Sequence, residues 1–363
     1  MKNSAFPATQ EDQEKEVTPF ALGYRMPAEW EPHEATWLAW PHNKETWPGR
    51  LREVEQIYLE MILALTPQEK VCLLVDDDRA RDRVAAWVSR RGAVEKNIVY
   101  YLIPTVDAWI RDYGPHFILK SSDSRKKIAF VRWIFNAWGM KYESLAKDNQ
   151  VSDSLASLLG MPVFRPGLVL EGGSIDTNGA GTCLVTEQCL LNPNRNPHLS
   201  RPRIEEALRD YLGLTHFVWL GEGIEGDDTD GHIDDIARFV NPTTVVTALE
   251  ADSRDRNEIP LRNNFKRLQR STDQNGKRLT VIPIPMPGRI EEKGVRLPAS
   301  YLNFYIANGV VLVPIFGHAN DAIALEILQN LFSQRRIVGI RSEALVLGLG
   351  GIHCVTHEEP RTL

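Results

Sequence analysis

Three stretches of this chain repeat one layout, and that layout restricts the folds open to it. Each is a polar station, an apolar strand-like run, an Asn-led turn and a second apolar run. They read EGGSIDTNGAGTCLVT with its turn at Asn178-Gly179, DDIARFVNPTTVVT at Asn241-Pro242, and YLNFYIANGVVLVP at Asn308-Gly309. Asn-Gly between strand-like runs is a strong hairpin signal, and Asn-Pro marks a turn. Glu171, Asp234 and Tyr301 each lie seven residues ahead of their turn's Asn. Strand faces alternate with period two, so equal counts predict equivalent places in equivalent units. Asp112 precedes a fourth strand pair, HFILK and KIAFVRWIF, across a longer polar loop.

Helical stripes fill the gaps between these stations. LREVEQIYLEMILAL carries apolar residues at Leu51, Val54, Ile57, Tyr58, Met61, Ile62 and Leu65, the spacing of one helix face. Residues 78–91, RIEEALRDYLG after Pro202, and 321–332 read likewise, with VCLLVDD, NIVYYLI, THFVWL and LTVIPI as further strands. Pro202 suits a first helical turn and Gly213 a helix C-terminus. About five strand–strand–helix–strand modules, each sending a polar residue inward, would make a closed pseudo-symmetric α/β ring. The plainer reading is a mixed α/β sheet with coincidental hairpins.

The chain has 363 residues, 43% hydrophobic and 25% charged, which is ample for a large core. A polar tail over residues 1–18 and one catalytic domain over 19–363 are expected, since the N-terminal stretch has no apolar core of a signal peptide. A net charge of −6 gives no electrostatic case for nucleic acid, and no apolar run approaches the length of a membrane span. Four cysteines without that leader fit reduced thiols and a cytoplasmic location.

Cys354 follows the run Gly348-Leu349-Gly350-Gly351 and stands beside His353. Glycines there permit unusual backbone angles and close approach of a substrate, which fits a nucleophile. Cys72, Cys183 and Cys189 lie in apolar surroundings and read as small core residues. His232 and Asp234, two apart on a strand, would share a face, the imidazole shuttling protons and the carboxylate accepting from a cation. Asp112 in WIRDYGP, with Trp109 able to stack on a planar cation, and Glu171 in LEGGS complete the acids. Arg111 would face away into a structural pair. Among the acids around His232, Asp227, Asp228 and Asp235 read as a solvated run, whereas Asp230 is balanced between solvent and substrate. His353 and Cys354 would point apart on a strand. No metal-ligand spacing or phosphate loop is present.

Taken together, RMPAEWEPHEATWLAWP (25–41), WIRDYGP, LEGGS, TDGHIDD, LPASYLNFYIANG and GGIHC (350–354) resemble the agmatine deiminase family. That family lies within the guanidine-modifying superfamily, which includes the bacterial peptidylarginine deiminases. The resemblance covers nearly the whole chain and implies a five-bladed α/β propeller. It also implies a cofactor-free hydrolysis of agmatine to N-carbamoylputrescine and ammonia through a cysteine thiouronium. Carried over, Cys354 would be the nucleophile and His232 the general acid/base. Asp112 and Asp234 would hold the guanidinium nitrogens, Glu171 would assist positioning and proton transfer, and Trp109 would line the channel. Leu349 departs from the family's continuous glycine run, and Trp30, Glu31 and His33 match its opening motif without an assigned role. The partner expected is a small cationic guanidino compound, with a homodimer open to the chain. Peptidylarginine or free arginine as substrate, metal-dependent hydrolysis by the acidic cluster, and a non-catalytic guanidine-binding protein are the alternatives.

Overall fold

The computed structural model describes residues 17–121 and 126–362. The apolar stripe on Leu51–Leu65 does form one helix, and Val54, Ile57, Tyr58, Met61, Ile62 and Leu65 all face the core. Burying each Leu or Ile of such a stripe contributes about 1.5–3 kcal/mol. Asp78–Arg90 follows as a helix whose first turn is capped by Asp77, the side chain accepting from Ala80 N at 2.7 Å. Helices Arg201–Leu212, with Pro202 in the first turn, and Asn320–Leu331 match the expected segments. Glu258–Arg270 adds a helix that the sequence reading did not assign.

Among the described residues, the strands form five small sheets of one pattern, plus a two-stranded ribbon at 291–296. In each pattern an antiparallel pair is joined by a parallel third strand, usually reached through a helix. The first unit pairs His116–Ser121 with Lys126–Val131 and then Val163–Phe164, and Tyr24–Arg25 is added to its edge. The second comprises Asp176–Thr177, Thr182–Thr186 and His216–Leu220. Ala237–Asn241, Thr244–Leu249 and Thr280–Pro285 make the third. The fourth is Tyr305–Ala307, Val310–Ile315 and Arg336–Arg341. In the fifth, His357–Pro360 lies antiparallel to His33–Ala39, which is followed by Lys70–Val75 and Ile98–Leu102 in parallel.

The expected equal register of Glu171, Asp234 and Tyr301 does not hold. The three turns differ: four residues separate Thr177 from Thr182, but two separate Asn241 from Thr244 and Ala307 from Val310. A register slip also falls between Phe239 and Asn241. Counting back from the Asn therefore compares different places. Tyr301 sends its hydroxyl to Asp321 Oδ1 at 2.6 Å, while Asn303 reaches the site described below.

The expected tail lies outside the described residues, apart from Val17 and Thr18. No described helix is long and apolar enough to cross a membrane.

Candidate active site

The acidic stations sit in short helical turns just ahead of their strands, not in the strands themselves. Asp112 is on the single turn Ile110–Tyr113. Glu171 precedes the 3₁₀ turn Gly172–Ser174, and His232 precedes the 3₁₀ turn Ile233–Asp235, which carries Asp234. These turns bring their side chains around Gly173. A Cβ on that glycine would stand 2.5 Å from His232 Nδ1 and 3.1 Å from both Asp112 Oδ1 and Asp234 Oδ2. Only a residue without a side chain lets the three groups converge there.

Asp234 Oδ2 lies 3.8 Å from Cys354 Sγ and 2.7 Å from His353 Nδ1. Asp112 is fixed by Gly173 N, which donates to Oδ1 at 2.9 Å, and by Trp138 Nε1, which donates to Oδ2 at 2.9 Å. Asn303 holds Cys354: its Nδ2 is 3.2 Å from Cys354 Sγ, and its Oδ1 accepts from the backbone N of His353 at 2.8 Å and of Cys354 at 3.3 Å. Asn303 Nδ2 also donates to Asp235 Oδ1 at 3.0 Å.

Burial dominates the electrostatics. It raises the Cys354 thiol well above its ordinary range, and the carboxylates of Asp234, Asp235 and Asp112 add to the rise. Burial, with Asp234 and Glu171 nearby, lifts Asp112 to about 8. Burial likewise lowers His232 to about 3, so its imidazole is neutral and able to accept a proton. For Asp234 burial works upward, yet the hydrogen bond and charge of His353 bring it below its usual value.

Above Cys354 and Asp112 opens a cavity of about 370 Å³, walled by Trp109, Trp138, Tyr142, Leu347 and Leu349. Cys354 is 7% exposed, so this cavity is the route to its sulfur. Four carboxylates line it, those of Glu45, Asp107, Asp112 and Asp228, and no Lys, Arg or His is among the described lining residues. Such a lining suits a cation carried on an apolar stem.

Several expectations need correction. The glycines before Cys354 do not supply unusual angles; the residue with positive φ is Leu349, at +68°. Their role is close approach, since a Cβ on Gly350 would meet the Trp109 ring at 2.4 Å. His232 and Asp234 share a turn, not a strand face. Glu171 is fully buried instead of facing a cleft, with Oε1 accepting from Arg195 Nε at 2.6 Å. Asp230 does not line the cavity, because its carboxylate is taken by Arg195 at 2.8 Å and Lys141 at 2.7 Å. Asp235 is buried against Asn303, and Asp228 faces the cavity with Tyr142 donating to it. Asp227 is no solvated acid either: its oxygens accept from the backbone N of Thr229, Gly231 and His232. His353 and Cys354, on a turn, both approach Asp234 and do not point apart. Trp109 does line the cavity, stacked on Trp47 at 5.4 Å between ring centroids, and Arg111 pairs with Glu358 at 2.8 Å as expected.

Asn303, His353, Glu29 and Trp138 were missed. Their partners are tens to hundreds of residues away, and of these signals only the HC doublet and the opening motif were visible. Glu171, Cys189 and His232 have atoms close enough to share a metal ion. Arg195 already supplies a buried positive charge to Glu171, so this grouping is balanced by a guanidinium.

The profile of the Porphyromonas-type peptidyl-arginine deiminases matches residues 25–360. The chain is 36% identical to the agmatine deiminase of Medicago truncatula, covering 95% of this chain and 98% of that one. It is 37% identical to the agmatine deiminase of Ectopseudomonas mendocina, covering 95% and 97%. It also superposes on the solved agmatine deiminase of Enterococcus faecalis with a TM-score of 0.88 and 33% identity, covering 96% of this chain and 98% of that one. These matches span nearly all of the chain and of each relative, and the chain belongs to the Porphyromonas-type peptidyl-arginine deiminase family.

Proposed function

We propose that this chain is an agmatine deiminase, hydrolysing agmatine to N-carbamoylputrescine and ammonia. The observation that carries the reading is the cavity over Cys354, acidic and aromatic along its walls and free of cationic side chains among its described residues. A guanidinium with an ammonium at its far end matches it. Free arginine would bring a carboxylate with no counter-charge there.

In this reading the guanidinium docks between Trp109 and the acids, with Asp112 and Asp234 accepting its N–H groups. Among the described residues Asp234 Oδ1 has no hydrogen-bond partner, and it is available for this. The arriving cation favours the ionised forms of Asp112 and Cys354, which burial otherwise opposes. The thiol proton passes to neutral His232, and the sulfur bonds to the guanidinium carbon. His232 returns the proton to the departing nitrogen as the C–N bond breaks, which releases ammonia and leaves a thiouronium on Cys354. Water then attacks that carbon, and His232 takes one of its protons and passes it to the sulfur as the C–S bond breaks. The oxygen loses the second proton to solvent, which leaves a neutral ureido product and the thiol. Glu171, locked to Arg195, supports the turn that carries Gly173.

The five units are read as blades of one α/β propeller forming a single catalytic domain from residue 19 onward. One apolar cluster that includes Trp37, Phe130, Tyr305 and Val355 supports this, because it draws on the first, fourth and fifth units. A cytoplasmic setting goes with it, since all four cysteines are free and buried.

The test is ammonia release from purified protein given agmatine, free arginine or an arginyl peptide. Agmatine should be strongly preferred. Preference for the peptide overturns the substrate assignment, and affinity without turnover points to a binding protein. Activity that is lost on prolonged chelation and restored by a divalent ion would favour metal-dependent hydrolysis.

A further inference from the structure

His353 has no part in the reaction as written, yet its ring is clamped between two buried carboxylates. Nδ1 lies 2.7 Å from Asp234 Oδ2, and Nε2 lies 2.7 Å from Glu29 Oε2. An imidazole nitrogen hydrogen-bonds an ionised carboxylate only by donating, so serving both acids takes a proton on each nitrogen. Glu29 is itself anchored. Ile306 N donates to its Oε1 at 2.7 Å, and Arg238 Nη2 donates to its Oε2 at 2.8 Å. At the other end His353 N is tied to Asn303. The three residues come from positions 29, 234 and 353, so nothing local enforces the alignment.

We propose that Glu29 and His353 are positioning residues, a relay that fixes the aim and the negative charge of Asp234 and thereby the affinity of the site for the substrate cation. The proposal rests on the function given above and goes beyond it by assigning two residues that touch neither substrate nor sulfur in that scheme.

The crowding of acids explains why a relay is needed. Asp112, Glu171, Asp234 and Asp235 are all buried within one small region. Burial raises Asp112, Glu171 and Asp235, each of which is more easily protonated than a free carboxylate. Asp234 goes the other way, and His353 pulls it most, ahead of His232 and Arg238. With a neutral partner in place of the imidazolium, Asp234 would take up a proton as its neighbours do. It would then offer a guanidinium a weaker, uncharged acceptor. Glu29 holds the second proton on the ring, so its charge acts on Asp234 through His353, while Arg238, paired with Glu29, adds a pull of its own on Asp234.

The test is Glu29→Gln, which keeps the size of the side chain and removes its charge. KM for agmatine should rise tenfold or more, while kcat changes by less than about threefold. In a Cys354→Ser background, which binds without turning over, calorimetry should show agmatine affinity falling by the same factor on adding Glu29→Gln. Circular dichroism checks the fold; if Glu29→Gln does not fold, His353→Gln is measured in the same way with the same expectation. A lower melting temperature with unchanged KM and unchanged affinity would mean a merely structural role and overturns the relay alone. Failure of the parent to release ammonia, together with failure of Cys354→Ser to bind agmatine, overturns the function reading and the relay with it.

Discussion

Asn303 Nδ2 stands 3.2 Å from Cys354 Sγ, while the same side chain's Oδ1 accepts from the backbone N of His353 and Cys354. One amide thus fixes the backbone that carries Cys354 and donates toward its sulfur. That donor favours the thiolate in a setting where three carboxylates oppose it.

Asn303→Ala should therefore slow thiolate formation. A hydrogen bond to a charged group is worth about 1.5–3 kcal/mol, so kcat should fall on the order of 10- to 100-fold. The rate of Cys354 alkylation by iodoacetamide should fall with it. Normal alkylation in a folded variant would show that Asn303 does not act on the sulfur.

Gly173→Ala puts a methyl group where His232, Asp112 and Asp234 converge. Overpacking a dense interior costs about 1–3 kcal/mol, and the displaced acids should lower kcat/KM by more than a hundredfold. Thermal melting and steady-state kinetics read the two effects separately. A variant with parental kinetics would show that the three groups do not act at that point.

Asp112 ties stability to activity through pH. Its folded value of about 8 lies above its ordinary 3.8, so the folded state holds a proton that the unfolded chain gives up. The resulting penalty is absent at low pH, grows as pH rises from about 4, and is complete above about 8. Asp112→Asn should accordingly be at least as stable as the parent at pH 8.5, yet almost inactive. In the free parent enzyme kcat/KM should climb with pH toward about 8, as the carboxylate becomes able to receive the cation. A profile flat from pH 6 to 9 would remove Asp112 from cation binding.

Leu349 occupies the left-handed region at φ +68° and walls the cavity. Branching at Cβ is poorly tolerated there, whereas Asn and Gly adopt it readily. Leu349→Ile should lower the melting temperature by an amount corresponding to about 1–2 kcal/mol, and Leu349→Asn by clearly less. Leu349→Gly should raise KM for agmatine several-fold at similar kcat, because the substrate's methylenes lose an apolar wall. Equal melting temperatures for the Ile and Asn variants would contradict the backbone argument.

Elements were legible in the sequence wherever the signal was local. The stripe of Leu51–Leu65 and the turns at Asn178, Asn241 and Asn308 predict their helix and hairpins because neighbours in the chain decide them. Register was less legible, since the loop after Asn178 is two residues longer than the loops at the other two turns and nothing local signals it. Of the residues that converge around Gly173 and Cys354, those named from the sequence lie inside motifs: Cys354, His232, Asp112 and Asp234. Asp235 was misread because a run of acids looks solvated until Asn303, from 68 residues away, buries it. Trp138 reaches Asp112 from a bend in which four consecutive residues, Ala137 to Met140, have positive φ, a conformation three of whose residue types do not advertise it. Glu29 lay inside a recognised motif and still had no readable role, since its partners His353, Arg238 and Ile306 are hundreds of residues distant.

The strand His357–Pro360 docks on His33–Ala39, across more than three hundred residues of intervening chain, and Cys354 hangs three residues before it. Bringing such remote segments together is the slow part of assembly. During refolding, helical signal should thus return early while catalysis waits on the docking of that last strand. The surroundings that turn this thiol toward catalysis should then be the last to form.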